Sequence, residues 1–143
     1  MGLADKDCVP ATPGTPPISR SAMEPLLEEL GLGWAVNQAG HLKCLYQFPD
    51  FKAALSFANE VGALAEEVGH HPDLLVGWGR CGIELWTHDI GGLAECDFVL
   101  AARIEQLYRQ GQLEVKGRVF SLYPGSGRFR KLVFTEQYPE PGS

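Results

Sequence analysis

The sequence is poor in most of the features that announce a class. Its 143 residues include only four cysteines, Cys8, Cys44, Cys81 and Cys96, far apart and never as a C-x-x-C pair. That spacing matches no familiar zinc module or dithiol redox motif. Free, reduced thiols acting as small apolar side chains are the expectation. No apolar run approaches the roughly 18 residues that a membrane-spanning helix needs. The start, Met-Gly-Leu-Ala-Asp-Lys-Asp, has no apolar stretch of the secretory kind. Lys6 stands where a myristoylation signal needs Ser or Thr. Positive charge is also scarce: 12 Lys plus Arg face 18 Asp plus Glu, for a net charge of −6. This balance argues against a general nucleic-acid or anionic-membrane binder, which needs clustered cations. No internal repeat points to a solenoid. A soluble cytoplasmic protein of one domain is predicted.

Apolar residues make up 45% of the chain and aromatics 10%, enough for one small core. The charge is uneven. Residues 1–111 hold seven Lys or Arg against 15 Asp or Glu, whereas residues 112–143 hold five against three. Residues 1–20, with Pro10, Pro13, Pro16 and Pro17, read as a flexible leader. Ser21 and Glu24 form a capping box that opens a helix to Gly31. Trp34–Val36 and Leu42–Phe48 alternate about a turn at Asn37–Gly40, a hairpin pattern. Asp50 caps a long amphipathic helix that carries Phe51, Leu55, Ala58, Val61, Ala65 and Val68 and stops at Gly69. Leu74–Trp78 and Arg80–Thr87 form a second strand pair, and another helix runs to about Gly111.

Residues 21–111 therefore predict an α+β domain: a four-stranded antiparallel sheet with helices packed on one face. Beyond them, Leu113–Tyr123 and Arg128–Thr135 flank Pro124-Gly125-Ser126-Gly127. An extra C-terminal hairpin with a frayed end is expected over 112–143.

Candidate chemistry gathers in one stretch. His70 and His71 end the first long helix, and His88 ends the last strand. Imidazole, with an ordinary pKa of about 6.5, suits proton transfer near neutrality. Glu66 precedes His70 by four residues, one helical turn, and so could orient its ring. The same histidines could instead be solvated side chains at a helix C-terminus. A metal site is the weaker option, because adjacent helical residues diverge by about 100°. His41, in the predicted turn, reads as solvent-exposed.

The run Glu66-x-x-x-His70-His71-Pro72, then Trp78, His88 and Asp97, resembles the signature of the pterin-4a-carbinolamine dehydratases, also called 4a-hydroxytetrahydrobiopterin dehydratases. Gly33-Trp34, Tyr46-x-Phe48, Phe51, Thr87 and Gly92-Leu93 match around it, so the resemblance spans about residues 30–110. It implies the same small α+β fold, assembled as a homodimer or homotetramer. It also implies dehydration of a 4a-hydroxytetrahydropterin to the quinonoid dihydropterin. His70 and His88 would then exchange protons while His71 helps to hold the pterin. Glu66 and Asp97 would orient them, and Trp34 would line the pocket, with Pro72 and Trp78 completing the motif. No metal or organic cofactor is implied, the pterin being substrate, and no nucleic acid or membrane partner.

Two positions depart from the pattern. Gly69 stands where many members carry Asp or Asn, and Ala94 where Thr or Ser caps the last helix, a loss of about 1 kcal/mol. Gly77-Trp78-Gly79, Leu85-Trp86-Thr87-His88 and the long termini also resemble a non-catalytic branch of the fold found beside carboxysomes. That resemblance implies an alternative role, assembly chaperone for RuBisCO in the alpha-carboxysome, with the RuBisCO large subunit as partner.

Overall fold

The computed structural model describes residues 2–31, 33–122 and 131–132. Three α-helices pack on one face of an antiparallel sheet: α1 (Arg20–Leu30), α2 (Phe51–Val68) and α3 (Glu95–Leu122). The strands are β1 (Ala35–Val36), β2 (Leu42–Gln47), β3 (Asp73–Gly77) and β4 (Arg80–Leu85), in the order β1-β2-β4-β3. A two-residue strand, β5 (Lys131–Leu132), pairs with β2 at Leu45 and Tyr46.

Register fixes which side chains meet the helices. Leu42, Cys44 and Tyr46 of β2 lie opposite Leu85, Ile83 and Cys81 of β4, and all six are buried. Phe57 and Val61 of α2, Phe98 and Ile104 of α3 and Leu30 of α1 close over this face. Burial of each such large apolar side chain contributes about 1.5–3 kcal/mol. The same burial pushes the Cys81 thiol up to about 12, leaving it un-ionised near neutrality. Burial first, then the neighbouring Cys44 and Glu105, raises the Tyr46 phenol well above its ordinary value.

Trp34 belongs to this core rather than to a pocket wall. It is 5% exposed, and its indole nitrogen donates to Glu105 Oε1 at 3.2 Å, the oxygen that also accepts from Tyr46 Oη at 2.8 Å. Arg109 Nε donates to the other carboxylate oxygen at 3.0 Å. A buried carboxylate needs such partners, and this one ties β1 and β2 to α3.

Four expectations are corrected. The leader is not free: Leu3 is 1% exposed in a single 3-10 turn, Arg103 donates to the carbonyls of Ala4 and Lys6, and Ile18 N donates to Leu93 O. Its prolines also limit what the unfolded segment loses on docking. The thiols are not all free, since Cys8 and Cys96 form a disulfide across 88 residues of sequence. Only folding of the leader onto α3 brings them together, so no local spacing signals the pair. Cys44 and Cys81 are buried and take part in no disulfide.

Helix α1 is capped by Ser19, whose Oγ accepts from Ala22 N at 3.2 Å, two residues before the capping box read at Ser21. Finally, α3 does not stop near Gly111. Residues 113–122, expected as the first strand of the extra hairpin, continue the helix. A single glycine costs only about 1 kcal/mol inside a helix that is already nucleated. The turn at 124–127 and the frayed end lie outside the described residues. Of the second strand only Lys131–Leu132 is described.

Candidate active site

Three chain reversals bring the histidines to one end of the sheet. Asp50 Oδ1 caps the start of α2 by accepting from Ala53 N at 2.8 Å, and Gly69 ends the helix in the left-handed region at φ 73°. A residue without Cβ adopts that conformation at little cost. The departure at Gly69 therefore has a backbone reason: the turn separates His70 from His71 and aims them at different carboxylates. At the end of β4, Thr87 pairs with Gly92 as an isolated bridge around a 3-10 turn at His88–Ile90. Helix α3 then begins beside both ends.

Asp97, in the first turn of α3, is 0% exposed and organises the junction. Its Oδ2 accepts from Thr87 Oγ1 at 2.7 Å and from Ala94 N at 2.9 Å. The second bond closes the helix start that Ala94 cannot cap with a side chain of its own. Oδ1 lies 2.6 Å from His70 Nε2. A carboxylate can only accept, so in this contact His70 carries its proton on Nε2, and the lone pair of neutral imidazole lies on Nδ1. The arrangement resembles other buried acid–imidazole pairs in which the carboxylate fixes a tautomer.

Glu66 does not serve His70. It meets His71 instead, Oε2 to Nε2 at 2.6 Å, and both side chains are exposed. The helical spacing pointed to His70, but the turn at Gly69 carries His70 away towards α3 and leaves Glu66 to His71. An exposed pair of this kind is worth at most about 1 kcal/mol.

His88 follows on the exposed side of the same junction. Its Nδ1 lies 3.2 Å from the Trp86 indole nitrogen. Trp86 itself is stacked on His41, with ring centroids 4.0 Å apart and an interplanar angle of 5°. His41 is thus half-buried against β4 rather than free in its turn, and Glu84 Oε2 lies 2.5 Å from its Nδ1.

His70, His71 and His88 line one cleft of about 330 Å³, together with Val68, Gly69, Trp86, Thr87 and Asp89. The leader supplies a further wall through Cys8, Pro10 and Ala11, and Cys96 completes it. Of the other residues read from the motif, buried Asp97 holds His70, exposed Glu66 pairs with His71, and Pro72 links α2 to β3. Trp78 stands 69% exposed at the β3–β4 turn, and Trp34 lies in the core. Neither tryptophan is among the cleft's lining residues. Sequence reading did not single out Thr87 as Asp97's partner, nor Trp86 and His41 as neighbours of His88. The His41–Trp86 contact depends on the pairing of β2 with β4, which carries no short-range signal. Among the described residues, no three His, Cys, Asp or Glu side chains gather as a metal shell. No described helix is long and apolar enough to cross a membrane.

Comparison with known proteins agrees with this geometry. The profile of the family described as pterin 4 alpha carbinolamine dehydratase matches residues 16–107. A protein of Rickettsia bellii, named provisionally as a pterin-4-alpha-carbinolamine dehydratase, is 50% identical over 105 residues, covering 73% of this chain and 93% of its own. A protein of Rubrobacter xylanophilus with the same provisional name is 48% identical over 105 residues, covering 73% of this chain and 97% of its own. The crystal structure of a transcriptional coactivator/pterin dehydratase from Brucella melitensis superposes with a TM-score of 0.60 at 27% identity, covering 64% of this chain and 97% of that one. The cleft's three histidines and Asp97 thus lie within the matched residues, and the chain belongs to the pterin 4 alpha carbinolamine dehydratase family.

Proposed function

We propose that this protein dehydrates a tetrahydropterin bearing a hydroxyl at C4a. The C4a–O bond breaks, the oxygen takes a proton and leaves as water, and N5 gives up its proton as the C4a=N5 bond forms. No electron is gained or lost, so the reaction asks for one acid and one base rather than a metal or an organic cofactor.

The observation that carries the reading is the His70–Asp97 pair. A buried carboxylate holds Nε2–H of the imidazole, leaving Nδ1 as the base for the N5 proton. His88, lining the same cleft, is the donor to the departing hydroxyl. His71, steadied by Glu66, holds the edge of the bicycle. A cleft of about 330 Å³ is of the size that small planar ligands occupy.

The reading includes self-association. β3 is the outermost strand of the sheet beyond β4, and its Leu74 and Leu75 are each exposed. An outer strand with open backbone groups and apolar side chains is a natural pairing edge.

The test is a multiple-turnover assay in which a 4a-hydroxytetrahydropterin is generated in place and its loss is followed by absorbance. Acceleration in proportion to protein concentration is expected. A rate equal to that of buffer would overturn the reading.

A further inference from the structure

We propose that Trp86 is a positioning residue for His88: it fixes the ring's tautomer and orientation, and is itself held in place by His41. The functional consequence rests on the dehydratase reading above, whereas the contact stands on geometry alone.

An indole nitrogen is a donor and never an acceptor. With Trp86 Nε1 3.2 Å from His88 Nδ1, the imidazole must present a lone pair there. Neutral His88, which lines the cleft, therefore carries its proton on Nε2. This is the complement of His70, whose bond to Asp97 leaves a lone pair instead. Two imidazoles of the same type are thereby given opposite assignments, one proton donor and one acceptor, by partners of opposite hydrogen-bonding sense.

A surface tryptophan could hold nothing if it were free to swing. One face of this indole is covered by the His41 ring, nearly parallel at 5° and 4.0 Å between centroids. His41 is in turn fixed three ways. Glu84 Oε2 lies 2.5 Å from its Nδ1, its backbone N–H donates to Asn37 Oδ1 at 2.9 Å, and its carbonyl accepts from Asn37 N at 2.8 Å. Asn37 Nδ2 also donates to Glu84 Oε2 at 3.2 Å. The turn between β1 and β2 is thus tied to β4 and presents a rigid plate to Trp86. Trp86 also meets the His88 ring, tilted at 60° with 4.7 Å between centroids. A rotamer locked by packing and hydrogen bonds is what a proton donor needs for repeated alignment.

The experiment has two arms. In the first, imidazole 15N shifts of His88 are recorded on the substrate-free wild-type chain at about pH 8, where ordinary imidazole is neutral. A single Nε2–H tautomer is expected, and Trp86→Phe should return His88 to a mixture. An Nδ1–H assignment in the wild-type chain would overturn the proposal, as would identical shifts in the two proteins. In the second arm, Trp86→Phe lowers kcat about tenfold, a fraction of the full acid–base contribution, with KM held within about twofold. His41→Ala, which removes the plate but leaves the indole, gives a smaller loss of the same kind. A rise in KM at constant kcat would make Trp86 a wall for substrate and overturn the positioning role. The nitrogen shifts need no turnover, so an inactive protein overturns the dehydratase reading while the Trp86 contact still stands or falls on the first arm.

Discussion

Asp97 decides more about this site than any histidine does. Its two oxygens have different tasks, Oδ2 holding Thr87 and the start of α3 and Oδ1 holding His70. Asp97→Asn separates them. The amide oxygen can replace Oδ2 and keep both structural bonds, which puts the amide NH₂ against His70 Nε2. That group donates, so His70 must accept there and move its proton to Nδ1, the nitrogen required as base. The expected outcome is a fall of about 10²-fold in kcat with little change in Tm, checked by kinetics beside a thermal melt. A parallel collapse of Tm would mean that the carboxylate is chiefly structural. The three histidines were legible from their type and clustering, whereas Asp97 entered through the family resemblance. Sequence reading gave Glu66 to His70 rather than to His71, since i to i+4 spacing on α2 says nothing of where the chain turns after Gly69.

Gly69 is therefore the element-scale counterpart of Asp97. At φ 73° it ends α2, and no atom lies within 4 Å of the position that a Cβ would take. Gly69→Ala meets open space, so its cost is backbone strain alone, about 1 kcal/mol in a denaturant melt. If the turn relaxes to avoid that strain, His70 leaves Asp97 and activity falls with it. The elements themselves were legible. Helical spacing from Phe51 to Val68 and alternation through β4 each mark a buried face, although Phe51 and Leu55 stay exposed and β2 is buried on both faces from Leu42 to Tyr46. The end of α3 was not, because Leu113, Val115 and Val119 suit either a strand or a helix and Gly111 resembles a stop. Once Glu95–Gln110 is wound, adding residues costs less than starting a new strand.

At the scale of the whole molecule, the leader changes the account most. A segment whose composition reads as unstructured forms part of the cleft wall and is fastened to α3 by Cys8–Cys96. Closing a loop of this length restricts the unfolded chain and is worth about 4.6 kcal/mol in the chain-entropy view. Cys8→Ser, or treatment with a dithiol reductant, should lower stability by about 2–4 kcal/mol in a urea melt. A melt unchanged by reductant would show that docking of Leu3 and Ile18 carries the leader without the bond.

The central claim is that His70 and His88 divide the two proton transfers of one dehydration. Single-turnover stopped-flow on the full chain tests it most directly, comparing wild type with His70→Ala, His88→Ala and the double variant. The account predicts that each single variant slows the dehydration step by about 10²-fold or more, with the double variant far less than additive, because both groups serve one transition state. A wild-type rate retained by either single variant would contradict it.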